Sequence, residues 1–200
     1  MNYKRDFDYS LLNIAPAVKN KESGEWVCDL SFEGKDFLVS TPRVKIQENS
    51  LVFKTENKKV FMDFIDKLEA NVIQHLFDNS IKIFKGKKFS LEKIKSSLVP
   101  SILLSEDGRF ACLETETTED IRCFSPFGEE IARTDVQKYV TAHIKVNSIV
   151  FLKELFHIRY SIVVLKMSKI ELTNVEEFVP VVDPVEDFEI TENASGSFFE

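Results

Sequence analysis

The chain lacks long apolar runs, has one tryptophan and three cysteines, and spends only six glycines and six prolines over 200 residues. Without long runs there is no membrane-spanning helix, which needs about 20 consecutive apolar residues. No hydrophobic segment follows Met1-Asn2-Tyr3-Lys4-Arg5, so no secretory signal is expected. Cys28, Cys112 and Cys123 are odd in number and have no metal-site spacing. Their apolar, strand-like surroundings predict buried free thiols and a reducing, intracellular compartment. His75, His143 and His157 are far apart, with no carboxylate or cysteine at ligand spacing, which argues against a metal centre. GxSxG, P-loop, GxGxxG and HExxH motifs are missing. The acids Glu114, Glu116, Glu119 and Asp120, set among three threonines, read as a solvated loop. These absences point away from an enzyme and imply no cofactor.

One further absence carries more information. Residues 170–200 contain no Lys or Arg but nine carboxylates, and they end in Ser197-Phe198-Phe199-Glu200. The remaining 169 residues hold all 26 cationic side chains against 24 acids, so the net charge of −7 divides into a body near +2 and a tail of −9. We place the boundary near Val175, with a globular body over 1–175 and a flexible acidic tail over 176–200. An acidic tail tipped with aromatic rings can compete with a polyanion for the basic surface of its own body. It can equally offer Glu186, Asp187, Phe188, Glu189, Phe198 and Phe199 to a partner.

What is abundant is phenylalanine, at 18 residues against four tyrosines. Most of these rings must be core. The body reads as α+β and mainly β: an antiparallel sheet, or a partly open barrel of the oligonucleotide-binding kind, closed by one long helix. Residues 25–32 alternate with a period of two, placing Trp26, Cys28, Leu30 and Phe32 on one face. A turn is expected at 33–36, and a second strand at 37–40 that Pro42 limits. Short strands follow at 44–46 and 51–54. Residues 58–78 carry Val60, Phe61, Phe64, Ile65, Leu68, Val72, Leu76 and Phe77 at helical spacing. Ser90 is a suitable N-cap for a short helix from Leu91 to about Ser97. Strands are then expected over 101–104, 109–114, 121–124, 138–146, 148–152 and 156–166.

Residues 81–95 contain six lysines and one glutamate, with Phe84 and Phe89 among them. Ammonium groups that follow phosphates, with aromatic faces that stack on bases, are the combination that holds single-stranded nucleic acid. Lysine suits binding without sequence preference, because it lacks the bidentate fork of arginine. The candidate phosphate contacts are Lys82, Lys85, Lys87 and Lys88, extended by Arg43 and Lys45. The candidate stacking residues are Phe84, Phe89 and Trp26. A solvated basic loop with inward-pointing rings is the alternative.

The order of elements resembles that of a group of proteins from large nucleocytoplasmic DNA viruses. The segments that carry the likeness are Phe37-Leu38-Val39-Ser40-Thr41-Pro42, Phe61-Met62-Asp63-Phe64-Ile65-Asp66-Lys67-Leu68-Glu69 with Asn79-Ser80, Pro100-Ser101-Ile102-Leu103-Leu104, and the closing pair through Ile149-Val150-Phe151 and Phe156-His157-Ile158. The tail is similar to the acidic, Phe-containing tails of replication single-strand-binding proteins, although Glu200 follows Phe199 here. The resemblance implies single-stranded DNA binding in viral replication or processing. It also implies a tail that recruits replication or virion proteins, and a setting in host cytoplasm, viral factory or virion; the charge of the tail lets it shield the basic groove as well. An alternative of another class is a minor capsid protein whose arm binds neighbouring subunits. Oligomeric state is not legible.

Overall fold

A computed structural model describes residues 7–136, 139–167 and 198–199. Three short or half-buried strands open the chain: β1 (Leu12–Ile14), β2 (Val18–Lys19) and β3 (Trp26–Phe32). β4 (Phe37–Gln47) and β5 (Ser50–Lys54) form a hairpin, followed by α1 (Lys59–Asp78), α2 (Ser80–Ile83) and α3 (Leu91–Ser97). The second half is almost all strand: β6 (Ile102–Leu104), β7 (Phe110–Glu114), β8 (Glu116–Phe124), β9 (Glu130–Ile131), β10 (Tyr139–Leu152) and β11 (Leu155–Met167). The fold is mainly β with a few helices, and the tail over 168–197 lies outside the described residues.

The strands form an open sheet in the order β6-β7-β5-β4-β10-β11-β8-β9, and β3 adds β1 and β2 to the second half of β10. β10 is the axis of this arrangement. Its first half pairs with β4 from Tyr139 to Val146, and its second half pairs with β3 from Ser148 to Phe151. Along its other edge it pairs with β11 from Val140↔Met167 to Leu152↔Leu155. The pairing is antiparallel except between β8 and β11, which run parallel. A purely antiparallel sheet is therefore corrected at this one junction. The chain leaves β8 and passes through β9 and β10 before returning beside it.

Pro42 does not limit the second strand; β4 runs through it for 11 residues. The register against β10 shifts between Thr141 and His143, so Thr41 and Pro42 together oppose Ala142. Proline is tolerated there because a bulge leaves its missing donor without a ladder partner. The buried Thr41 hydroxyl accepts the Ala142 N–H at 3.0 Å and donates to the Pro42 carbonyl at 2.8 Å. Thr41→Val is expected to strand a buried amide and destabilise the fold by about 1–3 kcal/mol. A urea melt with an unchanged midpoint would remove this account of the bulge.

The stretches expected at 138–146 and 148–152 are one strand, with a second irregularity near Asn147. The turn at 33–36 is present, with Glu33 and Gly34 at φ 53° and 71°. That pair of left-handed residues matches the strand twist of a tight hairpin. α1 buries Phe61, Phe64, Ile65, Leu68, Val72 and Leu76 against the sheet, as the spacing predicts. Val60 is exposed instead, on the rim of that stripe. Ser90 caps α3, its hydroxyl accepting the Lys93 N–H at 3.1 Å. Tyr160 is buried, and its hydroxyl donates to Ser101 Oγ at 2.9 Å, while Glu69 accepts the Ser101 N–H. This relay ties β11 to α1 through the segment before β6.

Cys28 and Cys123 are buried free thiols, and Cys112 is half-buried. Burial, then the neighbouring Asp29 carboxylate, pushes the Cys28 thiol up to about 12, which leaves it unreactive at neutral pH. No helix among the described residues is long and apolar enough to cross a membrane.

Candidate nucleic-acid interface

The basic stretch begins in α2 and turns sharply after it. Lys85 and Gly86 both take left-handed backbone, at φ 53° and 93°, and the Gly86 N–H closes onto the Ile81 carbonyl at 2.7 Å. Glycine adopts that conformation without a Cβ penalty, whereas Lys85 holds it at some steric cost. The reversal puts Lys82, Lys85, Lys87 and Lys88 on the surface. It also carries the Lys85 ammonium to 3.8 Å from the centre of the Trp26 ring, a cation–π contact. Trp26 stands at the start of β3, opposite Phe151 of β10.

The phenylalanines of this stretch turn inward. Phe84 is fully buried, with Phe89 edge-on to it at 5.1 Å and Phe151 edge-on at 5.5 Å. Phe84, expected as a stacking residue, has no open face here, because Phe198 stacks on it with planes 24° from parallel. Its ring is an interior wall. Half-buried Phe89 belongs to the same cluster.

The space between these rings is filled by the aromatic tip of the tail. Phe198 is 0% exposed and sits 5.1 Å from Phe84, 5.0 Å from Phe89 and 5.3 Å from Phe151. Its N–H reaches the Lys153 carbonyl in the β10–β11 turn at 3.4 Å. Phe199 stacks on Trp26 with centroids 4.5 Å apart and planes 15° from parallel. Trp26 thus carries an ammonium contact and a stacked ring at once. Within this structure Phe198 and Phe199 face their own body, whereas Glu186, Asp187, Phe188 and Glu189 lie outside the described residues.

Arg43 and Lys45 do not join this cleft. They lie on the outer side of β4, where Arg43 rests 5.5 Å from the centre of the Tyr139 ring. Sequence reasoning missed the cleft walls Phe151 and Phe156, which read only as strand residues; it expected the tail to shield the groove by charge but missed that Phe198 would fill an apolar slot. The isolated Phe198-Phe199 pair, among acids and far from any other apolar run, was the signal available. Among the described residues, no group of three or more His, Cys, Asp or Glu side chains is placed to hold a metal ion.

No protein-family model matches the chain, and no curated protein matches it. Among solved structures, the chain is similar to those of one bacteriophage protein. The single-stranded DNA-binding protein from bacteriophage Enc34 is 12% identical, over 88% of this chain and 98% of that one, with a TM-score of 0.42. The same protein in complex with single-stranded DNA is 12% identical, over 84% and 99%, with a TM-score of 0.40. Its C-terminal truncation is 11% identical, over 83% and 98%, with a TM-score of 0.40. These structures come from a bacteriophage, not from the large nucleocytoplasmic DNA viruses that the element order led us to expect.

In chemical terms the cleft pairs an indole face with the Lys85 ammonium and a deep apolar slot, and Lys82, Lys87 and Lys88 are exposed on the same short stretch of chain. A flat aromatic group can stack on Trp26, and an anion attached to it meets Lys85 and its neighbours. An aromatic ring joined to a negative charge is what a nucleotide offers, and the acidic, Phe-bearing tail has the same chemistry.

Proposed function

We propose that this protein binds single-stranded DNA without sequence preference, in viral DNA replication or processing, and that its acidic tail shields the site until the strand displaces it. The observation that carries this reading is Phe199 stacked on Trp26 beside the Lys85 ammonium. A base takes the place of Phe199, and Lys82, Lys85, Lys87 and Lys88 follow the phosphates on either side. Stacking on one aromatic face contributes about 1–3 kcal/mol per base. Lysines acting as point charges read no base edges, so the affinity is general and salt-dependent.

The tail gives the site its second role. A displaced tip exposes Phe198 and Phe199, together with the acids before them, to a replication or virion partner. The viral setting rests on the resemblance of the element order. The test is fluorescence anisotropy of a labelled thirty-base oligo-dT with the full chain from 50 to 300 mM salt. Binding that weakens steeply across that range supports the reading. An unchanged signal at 50 mM with micromolar protein removes it.

A further inference from the structure

The outer side of the sheet carries a second concentration of cations and rings, on the opposite face from the buried rings of the cleft. Along the first half of β10, Tyr139, Thr141, His143 and Lys145 alternate with the buried Val140, Ala142 and Ile144. Their neighbours follow from the register. Arg43 pairs with Thr141, Thr141 with Lys166, and Lys166 with Phe124, so these four form one row across β4, β10, β11 and β8. Ser40, His143, Val164 and Arg122 form the adjacent row, with Ser40 Oγ 3.3 Å from His143 Nδ1. Strands lie about 4.8 Å apart, so each row is about 14 Å long.

The charge on this face is one-sided. Arg43, Lys166 and Arg122 are exposed, and Lys45 and Lys145 are half-buried. Asp36 holds Lys145 at 2.8 Å, and Glu130 holds Arg122 at 3.1 Å. Among the described residues no carboxylate pairs with Arg43 or Lys166. Burial, then the Lys166 charge, holds His143 below the ordinary imidazole range, so it adds a neutral ring at pH 7. Each end of the first row has a ring beside a guanidinium: Arg43 over Tyr139, and Arg122 over Phe124 at 5.0 Å. Between them a shallow cavity of about 420 Å³ opens against Phe124, His143, Val164 and Lys166. Beside it stands Phe127, 80% exposed.

We propose that this outer face is a second track for the same single-stranded DNA, crossing β4, β10, β11 and β8 along the row Arg43–Thr141–Lys166–Phe124. Arg43 and Lys166 contact phosphates two strand spacings apart, about 10 Å, and Tyr139 and Phe124 receive bases at the two ends. Nucleic acid fits better than an acidic peptide, because both ends of the row supply a ring together with a cation. The tip of the tail does not cover this face. Phe198 is held at the β10–β11 turn, whereas the row lies toward the far end of that hairpin. The docked tip therefore leaves the row free of Phe198 and Phe199, and the row gives the strand a first foothold from which to displace the tip. The inference rests on the proposed single-stranded DNA binding.

The test compares full-length wild type with Arg43→Ala/Lys166→Ala, both exposed and remote from the core. Each single-strand phosphate contact contributes about 0.7 to the slope of log K against log salt. The expected result is a slope lower by about 1.4 and binding about 25-fold weaker at 100 mM. In parallel, oligo-dT carrying 5-iododeoxyuridine is photo-cross-linked to wild type, and the adducts are mapped by mass spectrometry. Adducts at Tyr139 or Phe124 support the track. An unchanged slope with adducts at Trp26 alone overturns it and leaves the cleft reading standing. Adducts on the outer face with none at Trp26 support the track and overturn the cleft. Absence of binding by wild type overturns both.

Discussion

Replacing Lys82, Lys85, Lys87 and Lys88 together with alanine is expected to weaken oligo-dT binding on the order of 10³-fold at 100 mM salt. Four phosphate contacts at about 0.7 each remove about 2.8 from the slope of log K against log salt, and the loss shrinks as salt approaches 1 M. All four side chains lie on the surface, Lys82 in α2 and the others at the turn after it, so their removal leaves the core intact. The measurement is anisotropy across a salt series, with a thermal melt to confirm folding. A folded quadruple variant that binds as tightly as wild type at 50 mM would exclude this turn as the phosphate-binding element. The single Lys85→Ala variant is the finer probe. It removes the cation–π contact on Trp26 as well as one charge, so it weakens binding more than Lys87→Ala or Lys88→Ala.

Removing the two tip rings has the opposite sign. Phe198→Ala/Phe199→Ala is expected to tighten oligo-dT binding about 10-fold. Burying the rings contributes about 4–5 kcal/mol, since one is fully enclosed and the other half-buried. The closure entropy of the thirty residues between Met167 and Phe198 opposes this with about 3 kcal/mol. The difference of about 1.5 kcal/mol is the margin by which a docked tip competes with a base, and it corresponds to roughly tenfold in affinity. Trp26 is the only tryptophan, so its emission reports the same event without a label. Losing Phe199 exposes the indole and moves the emission to longer wavelength. Phe199→Ala alone, which leaves Phe198 in its slot, separates access to Trp26 from repair of the cavity. Equal affinity for variant and wild type, with unshifted emission, would mean that the tip does not stand in the path of the strand.

The residues that set the architecture were legible where periodicity is strong. The 3.6-residue stripe through Phe61, Phe64, Leu68, Val72 and Leu76 and the two-residue alternation from Trp26 to Phe32 report burial on one side of a regular element, which is local information. Pro42 misled because its usual effect assumes an uninterrupted ladder. A bulge, stabilised by the hydroxyl of Thr41, is a pairing property that depends on a strand one hundred residues away. The parallel junction of β8 with β11 is likewise a matter of tertiary pairing. The basic stretch pointed to a turn of exposed lysines but not to the direction of its rings. Phe84 and Phe89 are separated by lysines, and only α2 and the following reversal decide that phenyl groups go inward while ammonium groups go out. The outer row was hidden for a related reason. Arg43, Thr141, Lys166 and Phe124 are scattered over 124 positions in the sequence and become neighbours only through three strand registers. Only the alternation of Tyr139, Thr141, His143 and Lys145 hinted at an unburied face.

Because β10 serves β4 with one half and β3 with the other, it also acts as a ruler. From His143, in the outer rows, to Phe151, at the wall of the cleft, is eight residues of one continuous strand, or about 26 Å. The interval is held by ladders on both edges, interrupted only at Asn147, and so varies little. Oligonucleotides too short to reach from one surface to the other then occupy a single one, with the affinity of that surface alone. Longer ones gain both through an effective local concentration, so the occluded site size rises in a step rather than smoothly with length.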